Sequence, residues 1–114
     1  LNATVLTDIT PGMPAYDEEL FGPVAGIFPV SSDEEAVRVA NDSRYGLGGS
    51  VWTQDIDRGK SLARQVESGA VYINKMMASH PAVPFGGTKL SGYGRELSYL
   101  GIRESVNQQT VWIS

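Results

Sequence analysis

No cysteine occurs in the 114 residues. That excludes disulfides, thiolate metal sites and a cysteine nucleophile within this chain. Histidine is nearly as scarce. His80 is the only one, so neither a histidine-rich metal site nor a Ser-His-Asp triad can be assembled in the usual way. Positive charge is also short: 9 Lys and Arg stand against 13 Asp and Glu, for a net charge of −4. No basic stripe exists to neutralise phosphates, which argues against a nucleic-acid partner. No apolar run approaches membrane-spanning length, and no charged-then-apolar signal opens the chain. The expectation is a soluble, cytoplasmic protein with no membrane partner. A starting methionine is missing too. Leu1 leads almost directly into an apolar stretch, so the chain reads as a piece of something longer.

What is present reads as an ordered α/β pattern, in a chain long enough for one compact domain. Residues 3–9 are apolar and β-branched, and Pro11-Gly12 ends them with a strong turn signal. An acidic step, Asp17-Glu18-Glu19, precedes Leu20-Phe21-Gly22-Pro23, and residues 24–30 read as a buried strand. Ser32 and Glu35 stand at capping-box spacing, predicting a helix over about 33–41. Residues 50–53 form a short strand signal, Asp55 can cap a second helix carrying Ile56, Leu62, Ala63 and Val66 on one face, and 70–74 is another strand. Two successive βαβ units follow from that order, giving a parallel sheet with flanking helices. Beyond Asn74 lie a non-periodic loop, a short helix over about 95–103 and a closing strand at 110–113. No internal repeat, low-complexity tract or domain boundary interrupts the pattern.

Two places invite a chemical reading. The stretch 84–96 holds four glycines (Gly86, Gly87, Gly92 and Gly94) among Phe85, Lys89, Tyr93 and Arg95. Glycine there frees the backbone for positive φ or for close approach to another segment or a ligand. Its plain alternative is a long surface loop closing into a helix. Glu19 sits in an acidic run that would serve equally as a solvated face. Its apolar neighbours Leu20, Phe21 and Pro23 place it at the edge of a buried segment. A carboxylate there can accept two hydroxyl hydrogen bonds from a ribose while an adjacent ring packs on a planar heterocycle.

Three stretches, Glu18-Glu19-Leu20-Phe21-Gly22-Pro23-Val24, Asn41-Asp42-Ser43-Arg44-Tyr45-Gly46-Leu47 and residues 84–96, together resemble the aldehyde dehydrogenase superfamily in order and spacing. The likeness runs from about residue 5 to 112 and covers only the C-terminal part of such an enzyme. It implies residues 1–107 as the second half of the catalytic domain and 108–114 as an oligomerisation strand that joins a neighbouring subunit, hence a homo-oligomer. Tyr72-Ile73-Asn74-Lys75-Met76 and the loop after it look most like succinate-semialdehyde dehydrogenases. By resemblance, Glu19 binds the nicotinamide-ribose hydroxyls of NAD or NADP, Phe21 lies beside the nicotinamide, and Phe85 lines the pocket of a small-molecule aldehyde. Ser79 falls where succinate-semialdehyde enzymes set a serine against the substrate carboxylate; its alternative is an ordinary loop serine. Asn74, Gly86 and Gly87 are expected to shape the loop, and Lys89, Arg95 and Glu96 to pair or cap. Family members attack the aldehyde with a cysteine thiolate, so the chain by itself is expected to be inactive.

Two other readings share the fold. One is a non-catalytic interaction module that associates with itself or with a full-length subunit. The other is an acyl-phosphate reductase, which the sequence Glu19-Leu20-Phe21-Gly22-Pro23 disfavours.

Overall fold

The computed structural model of the protein describes residues 2–114. Internal contacts divide the chain into two units, Leu1–Arg44 and Tyr45–Ser114.

In the first unit the β-branched stretch yields β1 (Thr4–Leu6), paired in parallel with β2 (Val24–Gly26) so that Val5 faces Ala25. Between them Pro14 opens a single turn, α1 (Pro14–Asp17). Its fixed φ and missing N–H suit the first position of a helix. The predicted helix is present as α2 (Asp33–Asn41), with Ser32 Oγ accepting the Glu35 N–H at 3.2 Å. The reciprocal half of the box is shifted by one residue. Glu35 Oε2 accepts from the N–H and hydroxyl of Ser31, at 2.8 and 2.7 Å, and not from Ser32. Those two bonds, the backbone one first, hold the Glu35 carboxyl below its usual range.

The second unit contains β3 (Tyr45–Gly46), β4 (Gly48–Val51), α3 (Ile56–Ala63), β5 (Ala70–Ile73), β6 (Thr88–Lys89) and α4 (Ser98–Glu104). Asp55 caps α3 as its sequence position predicts, accepting the Arg58 N–H at 3.0 Å. Strands β4 and β5 pair in parallel with α3 as the crossover, which makes this a βαβ unit. Gly59 is buried, and a Cβ there would stand 3.0 Å from Thr53 Cγ2 and 3.1 Å from Ile73 Cγ2. Its bare backbone lets α3 lie close on β5. At the end of β5, Asn74 turns into left-handed φ of 53°. Its side-chain amide accepts the Thr53 N–H at 2.8 Å and donates to the Thr53 carbonyl at 2.7 Å. Asn74 therefore extends the β4–β5 ladder by one side-chain rung, a shaping role.

The sheets differ from the sequence reading in two ways. The parallel strands do not make one sheet: β1–β2, β3–β6 and β4–β5 are separate two-stranded sheets. The antiparallel β3–β6 pair, absent from the sequence reading, joins residues more than forty apart and is two residues long on each side. Residues 110–113 pair with no strand among the described residues, and Val111, Trp112 and Ile113 are 77%, 87% and 90% exposed; the strand expected there is one that joins a neighbouring subunit. An apolar β-prone segment becomes a strand only where a partner edge accepts its hydrogen bonds.

Among the described residues no hydrophobic side chain is buried. No described helix is long and apolar enough to cross a membrane.

Candidate functional site

Glu19 and Phe21 lie in the first unit, on the link between α1 and β2. That link is fixed at both ends. The Glu18 N–H donates to the Pro14 carbonyl at 2.9 Å, and the Pro23 carbonyl accepts the Thr4 N–H at 2.9 Å. Between these anchors the Glu19 carboxylate makes no hydrogen bond or ion pair among the described residues, and it is exposed. Phe21 is 91% exposed. An anchored segment that presents a free carboxylate and a bare aromatic ring two residues apart fits a ribose diol and a planar heterocycle.

Ser79 and Phe85 lie in the second unit, on the two halves of the long excursion between β5 and α4. Ser79 is exposed. The residue before it is held by Tyr72, whose hydroxyl donates to the Ala78 carbonyl at 2.7 Å from the face of β5. A His80 turn follows, with the Val83 N–H on the His80 carbonyl at 3.1 Å.

The glycine-rich stretch is a closed loop. Phe85 and Glu96 exchange both backbone hydrogen bonds, each 2.8 Å, and so shut its ends. Arg95 Nη1 ties its two limbs together by donating to the Gly87 carbonyl at 2.8 Å and the Gly94 carbonyl at 2.6 Å. Lys89 pairs with Glu67 at 2.9 Å. Glycine serves two purposes here. Gly92 and Gly94 adopt positive φ, 121° and 69°, whereas Gly86 and Gly87 are places of close backbone approach. A cavity of about 370 Å³ opens beside the loop, with Phe85 in its wall next to Gly86, Gly87, Tyr93 and Arg95. That volume suits a small organic molecule.

The structure brings Glu19 close in sequence and space to Phe21, and Phe85 to the glycine loop; each pair belongs to its own unit. Sequence reasoning named Tyr72 within a motif and gave it no task. A strand tyrosine six residues before the loop it holds was the available signal, but nothing in the sequence shows where its hydroxyl goes. Asp42 and Arg44 were noted as part of a motif and given no task, although both grip α1.

Comparison with known proteins supplies the remaining context. The sequence model of the Aldehyde dehydrogenase family matches residues 1–111. The chain is 58% identical over 112 residues to an aldehyde dehydrogenase of Paenarthrobacter nicotinovorans, covering 98% of this chain and 24% of that protein. It is 52% identical over 111 residues to a probable succinate-semialdehyde dehydrogenase [NADP(+)] of Synechocystis sp., covering 97% of this chain and 24% of the relative. Among solved structures, succinic semialdehyde dehydrogenase from Streptococcus pyogenes in complex with NADP+ superposes with a TM-score of 0.91 at 47% identity, over 96% of this chain and 24% of that one. The chain thus spans about a quarter of the length of the relatives it matches.

Proposed function

The chain belongs to the aldehyde dehydrogenase family, and from that premise we propose that it serves in an NAD(P)-dependent enzyme oxidising succinate semialdehyde to the acid. The observation that carries the reading is the anchored, solvent-facing pair Glu19 and Phe21. Glu19 accepts the ribose hydroxyls of the cofactor, and Phe21 packs beside the nicotinamide. When bound, the cofactor supplies the hydride acceptor. Phe85 forms one wall of the aldehyde pocket, and Ser79 donates its hydroxyl proton to the substrate carboxylate. The thiol nucleophile comes from outside this chain, which has no cysteine.

Support for the substrate comes from two sides. Relatives in Synechocystis and Deinococcus radiodurans, at 52% and 53% identity, are named succinate-semialdehyde dehydrogenases. Within this chain, Tyr72 fixes the peptide next to Ser79, so the serine stands on a braced loop. In a full-length enzyme carrying this segment, Ser79→Ala should lower kcat/KM for succinate semialdehyde about 10- to 100-fold, the worth of a hydrogen bond to an ionised acceptor. An uncharged aldehyde of similar length should be affected far less. Equal losses for both substrates would reduce Ser79 to a loop residue.

Assembly is part of the same proposal. Residues 110–113 are apolar, exposed and without a strand partner among the described residues. They suit addition to a sheet edge of a neighbouring subunit, where main-chain hydrogen bonds supply the affinity.

A further inference from the structure

The exposed Glu19 segment hangs from α1, and α1 is gripped from one direction. The residues that follow α2 deliver two side chains to it. Arg44 donates through both Nε and Nη2 to the carbonyl oxygen of Asp17, at 3.2 and 2.9 Å. Asp17 is the last residue of α1, so its carbonyl has no continuing helix to bond, and a guanidinium fork answers that deficit. Asp42 accepts a hydrogen bond from the Tyr16 hydroxyl at 2.5 Å. The Tyr16 ring also meets Phe28 edge-on, with centroids 5.6 Å apart. Neighbouring residues of α1 are therefore clamped by two residues that lie two apart in the chain. The clamp point nearer the segment, the Asp17 carbonyl, lies two residues before Glu19.

Beyond α1 little else orients the segment. The Glu18 N–H is bonded to the Pro14 carbonyl of α1 itself, and the next outside anchor is the Pro23 carbonyl on β1. The direction in which Glu19 leaves α1 thus follows the orientation of α1, and Arg44 sets it at the nearest point. We propose that Arg44 is a positioning residue for cofactor binding, acting through the Asp17 carbonyl on Glu19, with Asp42 holding Tyr16 as the second point of the clamp. The hydrogen bond to Asp42 holds the Tyr16 phenol above its ordinary pKa, so the phenol keeps the donated hydrogen across the neutral range.

The inference rests on the assignment of Glu19 to the cofactor, and its test separates the two. In the full-length enzyme, Arg44→Met, Glu19→Gln and the double variant are compared for the KM of NADP+, the KM of aldehyde and thermal stability. Arg44→Met keeps the aliphatic stem and removes the donors. It should raise the cofactor KM about five- to tenfold, less than the full worth of a charge-assisted hydrogen bond because Arg44 acts on the cofactor only through Glu19, and leave the aldehyde KM unchanged. Because Arg44 acts through Glu19, the double variant should be no worse for cofactor than Glu19→Gln alone. Arg44→Lys, which still reaches one carbonyl with one donor, should recover part of the loss and serves as the readout if the methionine variant does not fold. An Arg44 variant that lowers the melting temperature without moving the cofactor KM, in an enzyme where Glu19→Gln does move it, overturns the inference. Fully additive effects overturn it as well. If Glu19→Gln itself leaves cofactor use intact, the underlying assignment of Glu19 is what fails.

Discussion

A purified chain of these 114 residues, freed of any longer enzyme, is expected to form no NADH or NADPH from succinate semialdehyde. The loss should be complete and not partial. Covalent oxidation of an aldehyde by the proposed route needs a thiolate, and the chain has no cysteine to supply one. The same preparation should self-associate at micromolar concentration. No apolar side chain among the described residues is buried, and Phe21, Tyr93, Trp112 and Ile113 are 91%, 99%, 87% and 90% exposed; large apolar surface of this kind is covered by protein in stable states. Coupled size exclusion and light scattering reads the association, and absorbance at the reduced-nicotinamide band reads turnover. Saturable turnover would refute the first expectation. A monodisperse monomer, unaltered by deletion of the residues after Gln109, would refute the second.

The second large effect lies in the backbone contact between Gly69, the residue that leads into β5, and the glycine loop. A Cβ on Gly69 would stand 1.6 Å from the Gly86 carbonyl oxygen and 2.7 Å from its carbon. Both neighbours are backbone, so no rotamer change relieves the clash. Gly69 cannot step aside cheaply either, because its N–H donates to the Gly46 carbonyl at 3.0 Å. Gly69→Ala must therefore push the loop off the strand by about an ångström or more, and Phe85 moves with it. Overpacking of this severity costs at least about 3 kcal/mol. If the enzyme still folds, displacement of the pocket wall should lower kcat/KM for aldehyde about 100-fold. Gly49→Ala is the matched control in the same unit, since its Cβ would meet only Val66 Cγ1 at 3.4 Å and Ser68 Oγ at 3.8 Å. It should be neutral or slightly stabilising. Indistinguishable melting temperatures and activities for the two alanine variants would contradict the geometry.

Local chemistry was legible in the sequence wherever it was short-range. Ser32 with Glu35 and Asp55 with Ile56 mark the starts of α2 and α3, because a cap and the first helical turn lie within four residues of each other. The β4–α3–β5 unit was readable for a similar reason, its elements being consecutive and its connections short. Strand pairing across distance was not. Tyr45–Gly46 and Thr88–Lys89 carry no alternation long enough to announce an antiparallel pair, and the bond between them depends on how the glycine loop closes through Phe85 and Glu96. α1 was missed because one turn opened by Pro14 has no periodicity to detect. At 110–113 a β-prone pattern is legible, but strand formation also needs an edge, and residue order cannot show which chain provides it. The candidate site divides along the same line. Glu19, Phe21 and Phe85 were named by motif, whereas the contacts that hold their segments, Arg44 on the Asp17 carbonyl, Asp42 on the Tyr16 hydroxyl and Tyr72 on the Ala78 carbonyl, join residues that no local pattern links.

The central claim is that Glu19 receives the cofactor ribose. Its most direct test is steady-state and equilibrium binding of NADP+ to a full-length enzyme carrying Glu19→Gln. The amide keeps the size of the side chain but weakens acceptance from two hydroxyls, a loss of roughly 1–2 kcal/mol. The expected result is cofactor affinity reduced about 5- to 30-fold, with the aldehyde KM and the melting temperature unchanged. A folded variant that binds NADP+ as tightly as the parent, and uses it with the same kinetics, would contradict the account.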